Sequence, residues 1–207
     1  MFDKLDRRVL SEAIIDLVRT VQQREPCHLA GGAALAGAHL AHRLSADVDL
    51  FVHQAEAHGR LCRHLRDAVD DADGTVVVVQ DARGFWRGRV RLAGETIEFD
   101  VVHESVPDIE EPPPPIEGIV VESLTDLRAA KLTCLLSRSE PRDLVDILFL
   151  ERAGYPPEPT LEIALQKDAG MDPGILAWLL KEFPVRPLPK LLVPLTSDEL
   201  GTYRDEL

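Results

Sequence analysis

Asp47 and Asp49 lie two residues apart in a stretch that alternates polar and apolar side chains, Asp47-Val48-Asp49-Leu50. Along a strand successive side chains point to opposite faces, so the two carboxylates project together while Val48 and Leu50 anchor the other side. Carboxylates this close repel unless a cation stands between them, and hard oxygen donors suit Mg2+, which also binds substrate phosphates. Glu98 and Asp100 repeat the spacing among Ile97, Phe99 and Val101. A third acidic position on a neighbouring strand is what two-metal phosphoryl or nucleotidyl transfer requires, since the attacking oxygen and the α-phosphate both need metal contact. Upstream, Gly31-Gly32 separates a short apolar run from an Ala- and Leu-rich segment. Backbone amides at such a turn, and at the helix N-terminus that follows, hold a triphosphate without side chains. Alone, an Asp-x-Asp is commonly surface charge or a cap, and a glycine pair a plain turn; their joint occurrence with a second acidic strand is harder to dismiss.

These residues need elements to position them. Apolar residues at helical spacing predict a first helix over 4–23, closed by Glu25-Pro26. A buried strand over 27–30, the glycine turn and a helix over 33–42 then make a strand-turn-helix phosphate layout. The acidic strand spans 47–52 and a helix follows over 55–69. Three more strands, 75–80, 86–92 and 96–102, are separated by Gly74, Gly84 and Gly94, and an antiparallel meander is their simplest arrangement. Pro112 to Pro115 mark a stiff extended connection. Beyond a short strand over 118–121 the pattern is helical: 125–137, 141–152, 161–168, 173–183, and a terminal helix after the Thr196-Ser197 cap signals. The fold class is therefore α+β, a mixed or antiparallel sheet flanked by helices and followed by a helical C-terminal half. The division falls between an α/β core, 1–116, and a helical region, 117–207.

The chain has 207 residues, 45% hydrophobic and 29% charged, the balance of a soluble globular protein. No apolar run approaches the roughly 20 residues that span a bilayer. The charged start, residues 1–8, lacks the apolar core of a signal peptide. No membrane partner and a cytoplasmic location are therefore expected. Cys27, Cys62 and Cys134 are odd in number and widely spaced, and read as buried small hydrophobes rather than disulfide or zinc-ribbon partners. The formal charge of -13, from 23 Lys plus Arg against 36 Asp plus Glu, opposes generic nucleic-acid binding. Any such contact needs a local patch, such as Arg83, Arg87, Arg89 and Arg91, or Lys131, Arg138 and Arg142.

Gly31-Gly32, followed by His42-Arg43-Leu44-Ser45-Ala46-Asp47-Val48-Asp49-Leu50-Phe51, resembles the first motif of the nucleotidyltransferase superfamily that includes DNA polymerase β. More narrowly, it resembles that of the AbiEii/AbiGii toxin-type nucleotidyltransferases. A second block, Lys131, Leu132 and Leu135, then Arg138, Arg142-Asp143, Asp146 and Leu150, resembles that family's helical Lys-to-Arg-Asp-x-x-Asp segment. The resemblance implies a mixed-sheet nucleotidyltransferase core with a nucleoside triphosphate donor and two Mg2+ ions, Mn2+ being a substitute. It implies transfer of a nucleoside monophosphate to an acceptor hydroxyl, in toxin members the tRNA 3′ end, by the toxin of a type IV-like toxin–antitoxin pair with a cognate antitoxin. By analogy Asp47 and Asp49 bind both metals, and Asp100 holds the catalytic one and helps deprotonate the acceptor, with Glu98 as the fallback. Lys131, from the helical region, meets the triphosphate as a point charge. Gly31, Gly32, Arg43, Ser45, Arg138, Asp143 and Asp146 complete the substrate-binding set, with Asp143 and Asp146 orienting Lys131 or Arg43. An exposed, ion-paired helix surface is the competing account of these last charges.

Ala33-Ala34 stand where family members often carry a hydroxyl residue. A catalytically weak or inactive nucleotide-binding module is therefore one alternative. A small-molecule nucleotidyltransferase of the antibiotic-modifying kind, which suits the acidic charge, is another. His39 and His42 lack a third imidazole in sequence reach and are not read as zinc ligands. His42 and Arg43 are expected to bond the backbone or the acidic strand. Trp86 reads as a half-buried strand residue rather than a platform for a base.

Overall fold

A computed structural model describes residues 3–207, so the first two residues of the charged N-terminal stretch lie outside it. The chain forms two units, one of Met1–His39 with Ser45–Ser123 and one of Leu40–Leu44 with Leu124–Leu207. The first contains α1 (Glu12–Arg24), β1 (His28–Ala30), α2 (Gly31–Ala34), β2 (Asp47–Val52), α3 (Ala55–Asp71), β3 (Thr75–Ala82), β4 (Phe85–Leu92) and β5 (Glu95–His103). Their sheet has the order β1-β2-β5-β4-β3. The β3-β4-β5 meander is antiparallel as expected, but β2 and β5 run parallel, which makes the sheet mixed. A parallel neighbour demands a long crossover, and α3 with the meander supplies it. Val48, Leu50, Phe99 and Val101 are fully buried on one face, and α3 packs against β3, β4, β5 and α1.

Four local expectations need correction. The first helix begins at Glu12, capped by the Ser11 hydroxyl accepting from the Ile14 amide, because residues 4–10 are held otherwise: Glu117 accepts from the Leu5 amide and pairs with Arg7. Gly31 and Gly32 form the first turn of the next helix rather than a separate turn, and that helix widens into a π-helical segment over Leu35–Leu40. The segment 118–121 does not form a strand; it makes one parallel bridge, Leu29 to Val121, and Val120 and Glu122 bond the Leu29 amide and carbonyl. Trp86 is fully rather than half buried. Gly88 makes room for it, since a Cβ there would collide with the indole, and the Arg66 guanidinium lies 5.4 Å from the ring centroid.

The second unit is helical: α4 (Leu124–Ser137), α5 (Pro141–Arg152), α6 (Pro157–Lys167), α7 (Pro173–Leu180) and α8 (Ser197–Glu206). Prolines open α5, α6 and α7, where a missing N–H costs nothing. Thr196 and Glu199 form a capping box on α8. α4 packs against α5, α6 and α7, and α5 against α8. Cys27 and Cys62 are buried, and burial pushes their thiols up to about 12 and about 11. Among the described residues no helix is long and apolar enough to cross a membrane.

Candidate active site

The parallel pairing of β2 with β5 sets Asp47 opposite Glu98 and Asp49 opposite Asp100. Paired residues share a face, so the four carboxylates form one cluster while Val48, Leu50, Phe99 and Val101 fill the core beneath. Ser45 donates to Asp47 Oδ1 at 3.3 Å. Two arginines from β4 complete the cluster. Arg87 grips Asp100 through two bonds, Nε to Oδ1 at 2.7 Å and Nη2 to Oδ2 at 2.6 Å, and Arg89 Nη2 reaches Glu98 Oε1 at 2.9 Å. The Asp100 carboxylate raises the pKa of Arg87 well above its ordinary value, against the opposing effect of burial. Within the cluster four carboxylates meet two guanidiniums, an excess of negative charge made of hard oxygen donors. That donor set fits a divalent cation of the Mg2+ kind.

Gly31 presses against this cluster. Ala30 pairs with Asp49 across β1 and β2, so the backbone leaves the sheet beside that carboxylate. Gly31 has φ +62°, and a Cβ on it would overlap Asp49 Oδ2 and Cγ. Only glycine meets both demands. Ala33 and Ala34, where a hydroxyl is missing, are fully buried, so their methyl groups pack in the core.

Arg43, Lys131, Arg138, Asp143 and Asp146 come together in the second unit. Asp146 accepts from Arg43 Nε at 2.6 Å and Nη2 at 2.7 Å, and from His42 Nε2 at 2.7 Å; Lys131 Nζ lies 2.8 Å from its other oxygen. Lys131 also reaches Asp143 Oδ1 at 3.3 Å, and Arg138 holds Asp143 through Nε at 2.8 Å and Nη2 at 2.9 Å. His42, Asp143 and Asp146 are fully buried and Arg43 and Lys131 nearly so. These charges are therefore not an exposed helix surface; His42 and Arg43 bond a helix aspartate rather than the acidic strand, while Arg43 Nη1 also donates to the Leu44 carbonyl at 2.9 Å, a backbone contact of the kind expected. Burial works against the Asp146 charge, yet Arg43 and Lys131 outweigh it and hold that carboxyl well below the usual range. Burial also opposes the Lys131 charge, and the two aspartates overcome it and raise its pKa. His42 goes the other way: burial lowers its pKa despite Asp146, and its ring lies 5.1 Å from that of Phe149.

Sequence reasoning missed two features. The Arg87–Asp100 fork was legible in principle, because a two-residue turn at Ala93-Gly94, both at positive φ, fixes the register that sets 87 against 100. The other, His28, His53 and Asp108, had no signal in spacing. These three place donor atoms within 4.8 Å of one another and make a possible metal-binding group.

Among known proteins, no curated sequence matches the chain. Solved structures share its fold, among them the following two. A provisionally assigned nucleotidyltransferase from H. pylori aligns with TM-score 0.60 at 22% identity, over 93% of this chain and 90% of that one. MenT4, a nucleotidyltransferase toxin from Mycobacterium tuberculosis, aligns with TM-score 0.61 at 17% identity, over 93% and 82%. The family described as nucleotidyl transferase AbiEii toxin, type IV TA system, matches residues 15–200. With that match covering both the acidic strands and the helical charge block, the chain belongs to the AbiEii nucleotidyltransferase toxin family.

Proposed function

We propose that this nucleotidyltransferase toxin moves a nucleoside monophosphate from an NTP to an acceptor hydroxyl in the cytoplasm, with a cognate antitoxin as its partner. The registered set of Asp47, Asp49 and Asp100 against Gly31 carries the reading. Asp47 and Asp49 would hold two Mg2+ ions, or Mn2+ in their place, and Asp100 one of them. When bound, these ions neutralise the phosphates and make the acceptor hydroxyl more acidic. The first unit, which contains most of the core placed at 1–116, binds the donor: Gly31 and Gly32 bring the backbone up to the triphosphate, and Ser45 steadies Asp47. Asp100 takes the acceptor's proton, the acceptor oxygen bonds the α-phosphorus, and the bond to the β-phosphate breaks to release pyrophosphate. In the helical region, drawn at 117–207, Lys131 has three ammonium donors, of which two engage Asp143 and Asp146. Although the family resemblance implies a triphosphate contact for Lys131, its ammonium is buried, and it acts with Arg43 and Arg138 to fix the aspartates.

For the acceptor we propose the tRNA 3′ end, the target of a type IV-like toxin. One observation favours a small-molecule hydroxyl instead: Arg87 and Arg89 of the candidate nucleic-acid patch spend their charge on Asp100 and Glu98. Transfer from an α-labelled NTP to total RNA, measured with increasing salt, decides between them. An RNA acceptor predicts steep loss with salt, and activity on RNA that ignores salt or Asp49→Ala defeats the proposal.

A further inference from the structure

At the other end of β2 from Asp47, the chain turns out of the strand at His53. His28 pairs with Phe51 across β1 and β2, so it lies on the same face of the sheet as Asp49. Asp108, in the segment after β5, closes the group: its Oδ1 is 3.0 Å from His53 Nε2 and its Oδ2 is 3.5 Å from His28 Nδ1. A tetrahedral ion with donors at about 2.0–2.1 Å sets them roughly 3.3 Å apart. The two separations fall on either side of that spacing.

The hydrogen bonding adds an independent argument. His53 Nδ1 lies 3.1 Å from the Glu104 carbonyl, which only accepts, so Nδ1 carries the proton. In the neutral ring Nε2 is then a bare lone pair directed at a carboxylate oxygen. That contact is repulsive unless a cation or a second proton lies between them. A backbone carbonyl that fixes the tautomer is also the usual outer support of a metal-bound imidazole. His28 and His53 line a cleft of ≈ 220 Å³. The two imidazoles distinguish this group from the all-oxygen cluster at Asp47 and Asp49; His53 is roughly 13 Å along the strand from Asp49 at about 3.3 Å per residue.

We propose that His28 Nδ1, His53 Nε2 and the Asp108 carboxylate bind a dication of the zinc class, which clips the 104–108 segment to β1 and the end of β2. Nitrogen donors select such an ion over Mg2+. The test titrates the chelator-stripped full chain with Zn2+ by calorimetry and with Co2+ by visible absorption. One tight equivalent is expected, with the intense spectrum of a four- or five-coordinate Co2+ site. His53→Ala and Asp108→Asn should each weaken it at least 100-fold, Asp49→Ala should leave it in place, and millimolar Mg2+ should not compete. Circular dichroism confirms that each variant is folded; His53 is exposed, and Asp108→Asn keeps the side chain's shape. Absence of tight Zn2+ binding by the folded parent, or binding that survives both substitutions, overturns the proposal.

Discussion

The acidic cluster on β2 and β5 and the ion network of the helical unit are built from the same side chains to opposite ends. On the sheet, four carboxylates meet two arginines at a partly exposed surface. In the helices, two aspartates are surrounded by Arg43, Lys131 and Arg138 and sealed from water. The first arrangement has a surplus of negative charge that a cation would relieve. The second satisfies its carboxylates internally, and burying them is tolerable only while every partner is present. Two aspartates at short spacing thus join a carboxylate-rich cluster in one place and serve as buried ties in another, and the difference lies in what surrounds them.

Substituting one aspartate in each region separates the roles most sharply. Asp49→Ala should reduce nucleotidyl transfer by about three orders of magnitude, the several kcal/mol that metal charge stabilisation supplies. Its melting temperature should change far less than that of the second variant, because Asp49 is only partly buried. Asp146→Ala should instead cost about 3–5 kcal/mol of stability by stranding buried Arg43 and Lys131. Chemical denaturation with a parallel activity assay checks both. Equal loss of stability in the two variants would erase the distinction.

Acid should reach the helical segments before it reaches the buried aspartate. Burial pushes His39 down to about 4, and both of its ring nitrogens lack a hydrogen-bond partner among the described residues. Its folded pKa is below the unfolded value of about 6.5, so its contribution is complete above pH 6.5 and is lost as pH falls toward 4. That loss is at most on the order of 3 kcal/mol. His42, also lowered by burial, acts in the same direction. Asp146, held well below the carboxylate range, keeps its contribution until far lower pH. His39→Leu should flatten part of the stability curve between pH 6.5 and 4, and an unchanged curve would remove His39 as a cause.

The same comparison explains how much the sequence disclosed. The acidic strand alternates with period two and borders one buried face, so its bounds, 47–52, and the facing of Asp47 and Asp49 were legible. The β4–β5 hairpin was legible from Gly94. What period and spacing cannot convey is pairing between distant segments: the parallel β2–β5 contact and the descent of Arg43 onto Asp146, 103 residues away, both depend on tertiary packing. The first helix was overextended for a similar reason. Residues 4–10 carry a helical pattern, but Glu117 binds the Leu5 amide and the Arg7 side chain and holds them outside it.

The finest test concerns Arg87, the residue that makes the sheet cluster most resemble the helical one. Its fork occupies both oxygens of Asp100 and places a positive charge where a dication would have to share the carboxylate. A unit charge about 5 Å from a dication opposes binding by about 7 kcal/mol at an effective dielectric of 20 and by about 2 kcal/mol at that of water, and the exposure of Arg87 puts this site near the lower figure. Arg87→Gln removes the charge and retains a donor for one oxygen, so Mn2+ affinity, followed by the paramagnetic signal of the free ion, should rise roughly tenfold. Arg89→Gln, whose partner is Glu98, should change it less. If Arg87→Gln leaves Mn2+ binding unchanged, Asp100 is not a ligand, and the metal rests on Asp47 and Asp49 alone.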